Sequence, residues 1–212
     1  GGESKAHQGV TTEVVGNCSF SPFPIGQSGP EGASDPDMSS RYPWTWTTLD
    51  GWANTLESKG ISINVAPQVG HSALRAAVGL REDRRPTQDE LQAMRKLLTE
   101  SIEQGGFSFS TGLTVAPSMY GDTDEIADLA EALSAFDGAF YVTHARLWAG
   151  NHVRAVANQT VDVEARRIRH VDGHAIRSEF TQLPRKLATC VPAPWKSVVA
   201  DLGRTPQEVK FS

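Results

Sequence analysis

The sequence of 212 residues lacks the features that define several large classes of protein. No run of apolar residues approaches the roughly 18 that a membrane-spanning helix needs, so no membrane partner is predicted. The two cysteines, Cys18 and Cys190, are too few and too far apart to form a disulfide framework. The formal net charge of −5 argues against a nucleic-acid partner, because a nucleic-acid-binding surface requires clustered positive charge.

Several short motifs and targeting signals are also missing. The sequence contains no Gly-x-Gly-x-x-Gly motif, no phosphate-binding loop, no Gly-x-Ser-x-Gly elbow and no His-x-His pair. It begins with Gly1 rather than Met, carries no secretory signal, and its first hydrophobic run starts already at Val10. We therefore expect an excerpt from a longer cytoplasmic protein, the alternative being a cloning scar on a true N-terminus.

What is present is an alternation of strand-like and helix-like segments. β-Branched and apolar runs predict strands at 10–15, 61–69, 107–111 and 139–143, and apolar stripes predict helices at 48–58, 88–102 and 123–136. Thr87 and Glu90 have the spacing of a capping box, and a further helix is predicted at 151–166. This order predicts an α/β fold with parallel strands. A complete (β/α)₈ barrel typically needs about 250 residues, which is more than this chain has.

Groups that can carry chemistry fall at the ends of these strands, namely Cys18, His71, the turn 110–112 and His144. In parallel α/β folds the functional groups collect at the C-terminal ends of strands. Cys18 is read as a small core residue, a nucleophile paired with a histidine, or a metal thiolate. His144 is read as a metal ligand or as a partner of a loop carbonyl. For His71 a structural role in a loop is favoured.

The segment Gly16-Asn17-Cys18 is the first of several motifs that occur in a fixed order. The others are Gly70-His71 with Leu74-Arg75, Arg85-Pro86-Thr87 with Glu90-Leu91, the stretch Phe109-Ser110-Thr111-Gly112-Leu113, and Thr143-His144. With these motifs, the chain resembles the D-aminoacylase (N-acyl-D-amino-acid deacylase) branch of the amidohydrolase superfamily over residues 7–157.

The resemblance implies a fold, a cofactor and a reaction. The fold would be a (β/α)₈ barrel of the metal-dependent hydrolase type, which this chain alone does not close. The cofactor would be Zn²⁺, held by Cys18 and His144, and the substrate a small molecule of the N-acyl-amino-acid class. Hydroxide on the metal would attack the amide carbonyl while a carboxylate moves the proton to the departing amine. The enzyme class would be a hydrolase of C–N bonds other than peptide bonds.

The chain departs from the family pattern in several places. The His-x-His pair and the late general acid/base Asp are missing, so no catalytic residue is predicted within this chain. His174, 30 residues after His144, is a further candidate ligand, although its surroundings lack the expected strand. Ser19 stands where the family usually has Gly, and Val115 where it usually has Tyr. The acyl group and the amino acid of the substrate are therefore not predicted.

The composition changes after residue 157. Residues 1–157 carry a net charge of −8, whereas residues 158–212 carry +3 and show weak periodicity. We predict a partial barrel in 1–157 and an unmatched tail in 158–212, whose divergent or frame-shifted origin stays open. The surface histidines His152 and His170 are given no role, and no strand is predicted beyond about residue 170.

Three functions remain open from the sequence. The first is part of a zinc-dependent amide hydrolase that deacylates N-acyl-D-amino acids. The second is an inactive fragment, in which the exposed edges of an unclosed sheet predict self-association. The third is a cysteine hydrolase that uses Cys18 as nucleophile and His144 as base. The oligomeric state is not predicted.

Overall fold

A computed structural model describes residues 1–26, 29, 43–144 and 170–172. Helices and strands follow one another in broadly the predicted order, but the short helices Glu3–Ala6 and His71–Ala77 were not predicted. The helices are α1 (Glu3–Ala6), α2 (Leu49–Lys59), α3 (His71–Ala77), α4 (Gln88–Glu103) and α5 (Thr123–Glu131). The strands are β1 (Thr12–Val15), β2 (Asn64–Gly70), β3 (Ser108–Gly112), β4 (Phe140–His144) and β5 (His170–Asp172). Short 3₁₀ turns span Ser118–Tyr120 and Ala132–Ala135.

The five strands form one parallel sheet whose spatial order follows the chain order. Parallel neighbours need a crossover, and helices α3, α4 and α5 supply the crossovers between β2, β3 and β4. The C-terminal ends of the parallel strands therefore lie along one edge of the sheet. The predicted α/β class with parallel strands is confirmed.

One face of the sheet carries the main core. Val69 in β2, Phe109 in β3 and Tyr141 in β4 are almost completely buried and belong to one apolar cluster with side chains of the helices. The helical members include Met94, Leu98, Ile102, Ile126 and Leu129. Burial of a large apolar side chain contributes about 1.5–3 kcal/mol, so this layer fixes how the helices cover the sheet.

Local sequence signals set where the covering helices begin. At the start of α4, the Thr87 side chain accepts from the Glu90 backbone N–H and the Glu90 side chain accepts from the Thr87 N–H, so the predicted capping box is confirmed. At the start of α5, Asp122 Oδ1 accepts from the Glu125 backbone N–H at 2.9 Å. Both caps satisfy N–H groups that the first helical turn leaves without partners.

The strand β5 was not predicted. It lies inside the segment 158–212 and pairs in parallel with β4, Tyr141 being opposite His170 and Thr143 opposite Asp172. Three residues are too few to show the alternation on which a strand prediction rests. The predicted helix at 151–166 lies outside the described residues, as do His152 and His174.

Among the described residues, no helix combines the length and the apolar character needed to cross a membrane.

Candidate functional site

The loop that follows β1 crosses the ends of β2 and β3. Neighbouring strands lie about 4.8 Å apart, so a residue at the end of β1 starts about 14 Å from the end of β4. Two glycines make the crossing possible. A Cβ on Gly70 would overlap the carbonyl of Ser19, and a Cβ on Gly112 would lie 2.5 Å from the carbonyl oxygen of Cys18. The loop backbone can therefore rest directly on the strand ends.

Hydrogen bonds hold this crossing loop in place. Ser110 Oγ donates to the Gly16 carbonyl at 2.5 Å, and the Ser72 N–H donates to the Ser19 carbonyl at 2.9 Å. The Ser19 and Ser72 hydroxyls lie 2.8 Å apart and are completely buried. The backbone of Cys18 and Ser19 adopts φ values of +55° and +75°, which turn the chain toward β4.

The crossing brings Cys18 to His144. The sulfur Sγ of Cys18 lies 3.1 Å from Nδ1 of His144, the last residue of β4, and both residues are only partly buried. Burial raises the pKa of the Cys18 thiol. Two of the residues that the sequence singled out, 126 positions apart, are thus in direct contact.

The pair fits part of a zinc site. With Zn–S at about 2.3 Å and Zn–N at about 2.0–2.1 Å, a tetrahedral centre places its sulfur and nitrogen ligands about 3.6 Å apart. The 3.1 Å between Sγ and Nδ1 is about 0.5 Å shorter than that value, so the two donors would move apart slightly to hold a metal in tetrahedral geometry. A catalytic zinc takes three protein ligands, and the described residues contain no group of three or more His, Cys, Asp or Glu that could hold a metal ion. Among the described residues, Cys18 and His144 can therefore supply at most two of the three ligands.

His71 takes the structural role that the sequence favoured, but with partners that were not foreseen. It is the first residue of α3 and is completely buried. Its Nε2 lies 2.9 Å from Glu125 Oε1, and its Nδ1 lies 2.8 Å from Ser118 Oγ. Arg75 Nη1 donates to both carboxylate oxygens of Glu125, at 2.8 and 2.7 Å.

The burial of Glu125 acts on its pKa in two opposite ways. Desolvation raises the pKa of its carboxyl group. The hydrogen bond from His71, the charge of His71 when that ring is protonated, and the charge and hydrogen bonds of Arg75 outweigh desolvation and hold the pKa below its usual range. The signal that could have indicated the cluster is the spacing of His71 and Arg75. Residues four apart lie on the same face of a helix.

Two curated relatives from Alcaligenes xylosoxydans xylosoxydans are similar to this chain. It is 36% identical to an N-acyl-D-aspartate deacylase over 151 residues, which are 67% of this chain and 28% of that protein. It is 35% identical to a D-aminoacylase over 156 residues, which are 74% of this chain and 32% of that protein. The chain therefore spans about a third of the length of the curated relatives it matches. No family model matches it.

A solved structure shares the fold. It is the N-acyl-D-glutamate deacylase from Bordetella bronchiseptica, complexed with zinc and a phosphonate inhibitor that mimics the tetrahedral intermediate of the reaction. The TM-score is 0.68 at 28% identity, covering 78% of this chain and 34% of that chain. The chain belongs to the D-aminoacylase family of amidohydrolases. The predicted family and the predicted partial barrel of the metal-dependent hydrolase type are both confirmed.

Membership in the D-aminoacylase family does not by itself assign roles to the individual residues of this chain. The structure brings Cys18 and His144 together, whereas His71 lies in the buried cluster with Glu125. The candidate ligand His174 lies outside the described residues.

Proposed function

We propose that this chain is part of a zinc-dependent amide hydrolase that removes the acyl group from an N-acyl-D-amino acid. Cys18 and His144 are two of its metal ligands in this proposal. The observation that carries it is the 3.1 Å contact between Cys18 Sγ and His144 Nδ1 at the C-terminal edge of a parallel sheet. The names of the two relatives described above, an N-acyl-D-aspartate deacylase and a D-aminoacylase, support the substrate class.

The donor types agree with this assignment. Thiolate sulfur and imidazole nitrogen are both common zinc ligands, and Cys18 gives up its proton when it binds a metal. A bound Zn²⁺ polarises an amide carbonyl and lowers the pKa of water toward 7. The protein residues orient this centre, because the crossing loop and the end of β4 fix the two donors relative to each other.

The proposed reaction also requires a third metal ligand and a group that gives a proton to the departing amine. His174 follows the last residue of β5, Asp172, by two positions, and this place after a parallel strand supports it as a candidate ligand. The partial barrel proposed for residues 1–157 then continues at least to β5. The sequence offers no His-x-His pair. Loss of a general acid or base costs a factor of about 10²–10⁴, so we expect the 212-residue chain to be far less active than its relatives.

Metal analysis of the purified chain tests the proposal. We expect about one zinc per chain, lost in C18A and H144A and kept in C190S, the control at the other cysteine. Hydrolysis of N-acetyl-D-methionine, with N-acetyl-L-methionine as the stereochemical control, is expected to be weak and to disappear with a chelator. Zinc that remains bound at full stoichiometry in both C18A and H144A contradicts the assignment of the ligands.

The same contact favours a second candidate, a cysteine hydrolase with Cys18 as nucleophile and His144 as base. Iodoacetamide and a chelator separate the two functions. Activity that survives the chelator but disappears on alkylation of Cys18 supports the cysteine hydrolase. If neither zinc binding nor hydrolysis is measured, the chain is an inactive fragment.

A further inference from the structure

His71, Arg75 and Glu125 form a buried cluster of charged and polar side chains between α3 and α5. All three side chains are at most 1% exposed. Arg75 also donates from Nη2 to the carbonyls of Glu82 and Arg84, at 3.1 and 3.0 Å. The Arg75 guanidinium therefore bonds to Glu125 on one side and to two backbone carbonyls on the other. The fixed Glu125 carboxylate holds His71 in one orientation.

Charge balance assigns the hydrogens of this cluster. Arg75 and Glu125 neutralise each other, and a further charge on the completely buried His71 ring would add a desolvation cost. A neutral His71 with its proton on Nε2 donates to Glu125 and accepts at Nδ1 from the Ser118 hydroxyl. Ser118 Oγ in turn accepts from the Gly112 backbone N–H at 3.3 Å. The hydrogen bonds thus run in one direction, from Gly112 through Ser118 and His71 to Glu125.

Gly112 connects this series to the candidate functional site. It is the register partner of His144 in β4, and the Leu113 N–H beside it donates to the His144 carbonyl at 3.1 Å. The Cys18 carbonyl also lies so close to Gly112 that a side chain at this position would overlap it. One backbone position therefore contacts both halves of the Cys18–His144 pair.

The loop after β3 closes onto the ring of His71. A Cβ on Gly121 would lie 2.5 Å from His71 Cε1, so a larger residue at this position would displace the ring or the loop. His71 also packs edge-on against Phe109 of β3, with ring centroids 6.0 Å apart. Both contacts leave the imidazole little freedom to turn away from Ser118.

We infer that His71 is a positioning residue for the Cys18–His144 pair, acting through Ser118 and the backbone of Gly112. The inference rests on the proposed function in one respect, that this pair is the functional site. The two ring nitrogens have separate roles. Nε2 bonds to Glu125 and so fixes the ring relative to the Arg75–Glu125 ion pair. Nδ1 bonds to Ser118, whose hydroxyl in turn holds the Gly112 N–H at the end of β3.

A pair of substitutions separates the two nitrogens. The side chain of H71N places its amide near the position of Nδ1 and can still bond Ser118, whereas that of H71Q reaches the position of Nε2 and can still bond Glu125. S118A removes the link while leaving the Arg75–Glu125 pair intact, and it serves if both His71 variants fail to fold. S101A is the matched control, because Ser101 is also buried and, within the described ranges, its hydroxyl donates to the Leu97 carbonyl of its own helix.

Amide hydrogen exchange, resolved by residue, is the first measurement. We expect H71Q and S118A to accelerate the exchange of the Gly112 and Leu113 amides, and H71N and S101A to leave these amides close to the unsubstituted chain. Nitrogen-15 NMR of the histidine rings is expected to show His71 as the neutral Nε2–H tautomer. Equal acceleration in H71N and H71Q, unchanged exchange in S118A, or a doubly protonated His71 at neutral pH would each overturn the inference.

Zinc affinity is the second measurement, and it separates this inference from the proposed function. Substituting a residue that orients a metal ligand typically weakens metal binding about 10- to 100-fold, which we expect for H71Q and S118A but not for H71N or S101A. If the unsubstituted chain binds no zinc while the exchange pattern holds, the proposed function fails and the positioning role stands. If the chain binds zinc and no variant weakens it, the positioning role fails.

Discussion

The turn that carries Cys18 runs through left-handed backbone at two consecutive residues. Cys18 has φ +55° and Ser19 has φ +75°, a region that costs an L-residue about 1–2 kcal/mol. The same turn buries the Ser19 hydroxyl against that of Ser72. At Ser19 the left-handed backbone therefore lowers the stability of the fold, whereas the buried hydrogen bond raises it. Ser19 directly follows the candidate metal ligand Cys18.

Two substitutions at Ser19 resolve these opposing contributions. S19A keeps the strain, removes the hydrogen bond and leaves Ser72 unsatisfied, so it is expected to lower the free energy of unfolding by about 1–3 kcal/mol. S19G loses the same bond but relieves the left-handed backbone, so we expect it to be about 1 kcal/mol more stable than S19A. Urea unfolding of both variants measures the difference.

Ser101, in the last turn of α4, provides the control for the sign of this effect. There the backbone is helical, and Gly is expected to be less stable than Ala by about 0.8–1.0 kcal/mol. The Gly variant should therefore have a higher free energy of unfolding than the Ala variant at position 19, and a lower one at position 101. An S19G variant that is less stable than S19A would contradict the left-handed turn.

Single residues also show how far the sequence predicted the site. The types of Cys18 and His144 and their places after strands were enough to single them out, because strand ends in a parallel sheet meet at one edge. Their contact was not predictable from those places alone, since β1 and β4 are not neighbours. It depends on Gly70 and Gly112, whose missing side chains admit the crossing loop, and glycine at a strand end is the signal that indicates such an approach.

Among the elements, α4 shows a helix whose start depends on charge. Arg84 lies 2.7 Å from Glu90 Oε1, and the Thr87 N–H donates to Glu90 Oε2 at 2.7 Å. The hydrogen bond from Arg84, followed by that from the Thr87 backbone, lowers the pKa of Glu90 to about 2. A carboxyl group whose pKa is lowered on folding contributes stability above its unfolded pKa and loses it as the pH falls.

This linkage predicts the pH dependence of E90Q. Above the usual pKa of Glu, about 4.3–4.5, the unsubstituted chain should be more stable than E90Q by a constant amount, because glutamine keeps a cap but not the charge. As the pH falls from that value to about 2, the difference in free energy of unfolding between the two chains should shrink toward zero.

Urea titrations at a series of pH values measure this difference in free energy of unfolding. E100Q, on the same helix but outside the capping box, is the control, since the exposed Lys96–Glu100 pair contributes little. A difference independent of pH would contradict the mechanism.

Elements with long periodic patterns were predicted more fully than short ones. The capping box and the apolar stripe located α4, whose pattern extends over many residues, and runs of apolar and β-branched residues located β2, β3 and β4. The three-residue strand β5 owes its place to pairing with β4 rather than to its own sequence. Its pairing partner could be identified only from the folded chain.

At the scale of the whole molecule, the described part of the chain is a sheet that does not close. In that part, β1 pairs only with β2, so its other edge offers unpaired backbone groups. A barrel covers such edges by closure, and the chain spans about a third of the relatives' length. Val14 in β1 is 38% exposed, which places an apolar side chain on this edge strand.

The open edge predicts self-association that depends on β1. A lysine on an edge strand opposes edge-to-edge pairing, so V14K is expected to shift the chain toward the monomer in sedimentation velocity measurements over a range of concentrations. V115K is the matched control, because Val115 is similarly exposed, at 36%, but lies in the loop after β3 rather than on a strand edge. If both variants reduce association equally, general apolar exposure explains the association. If neither does, the outer edge of β1 is not where copies of the chain meet, and the unclosed sheet is protected by other means.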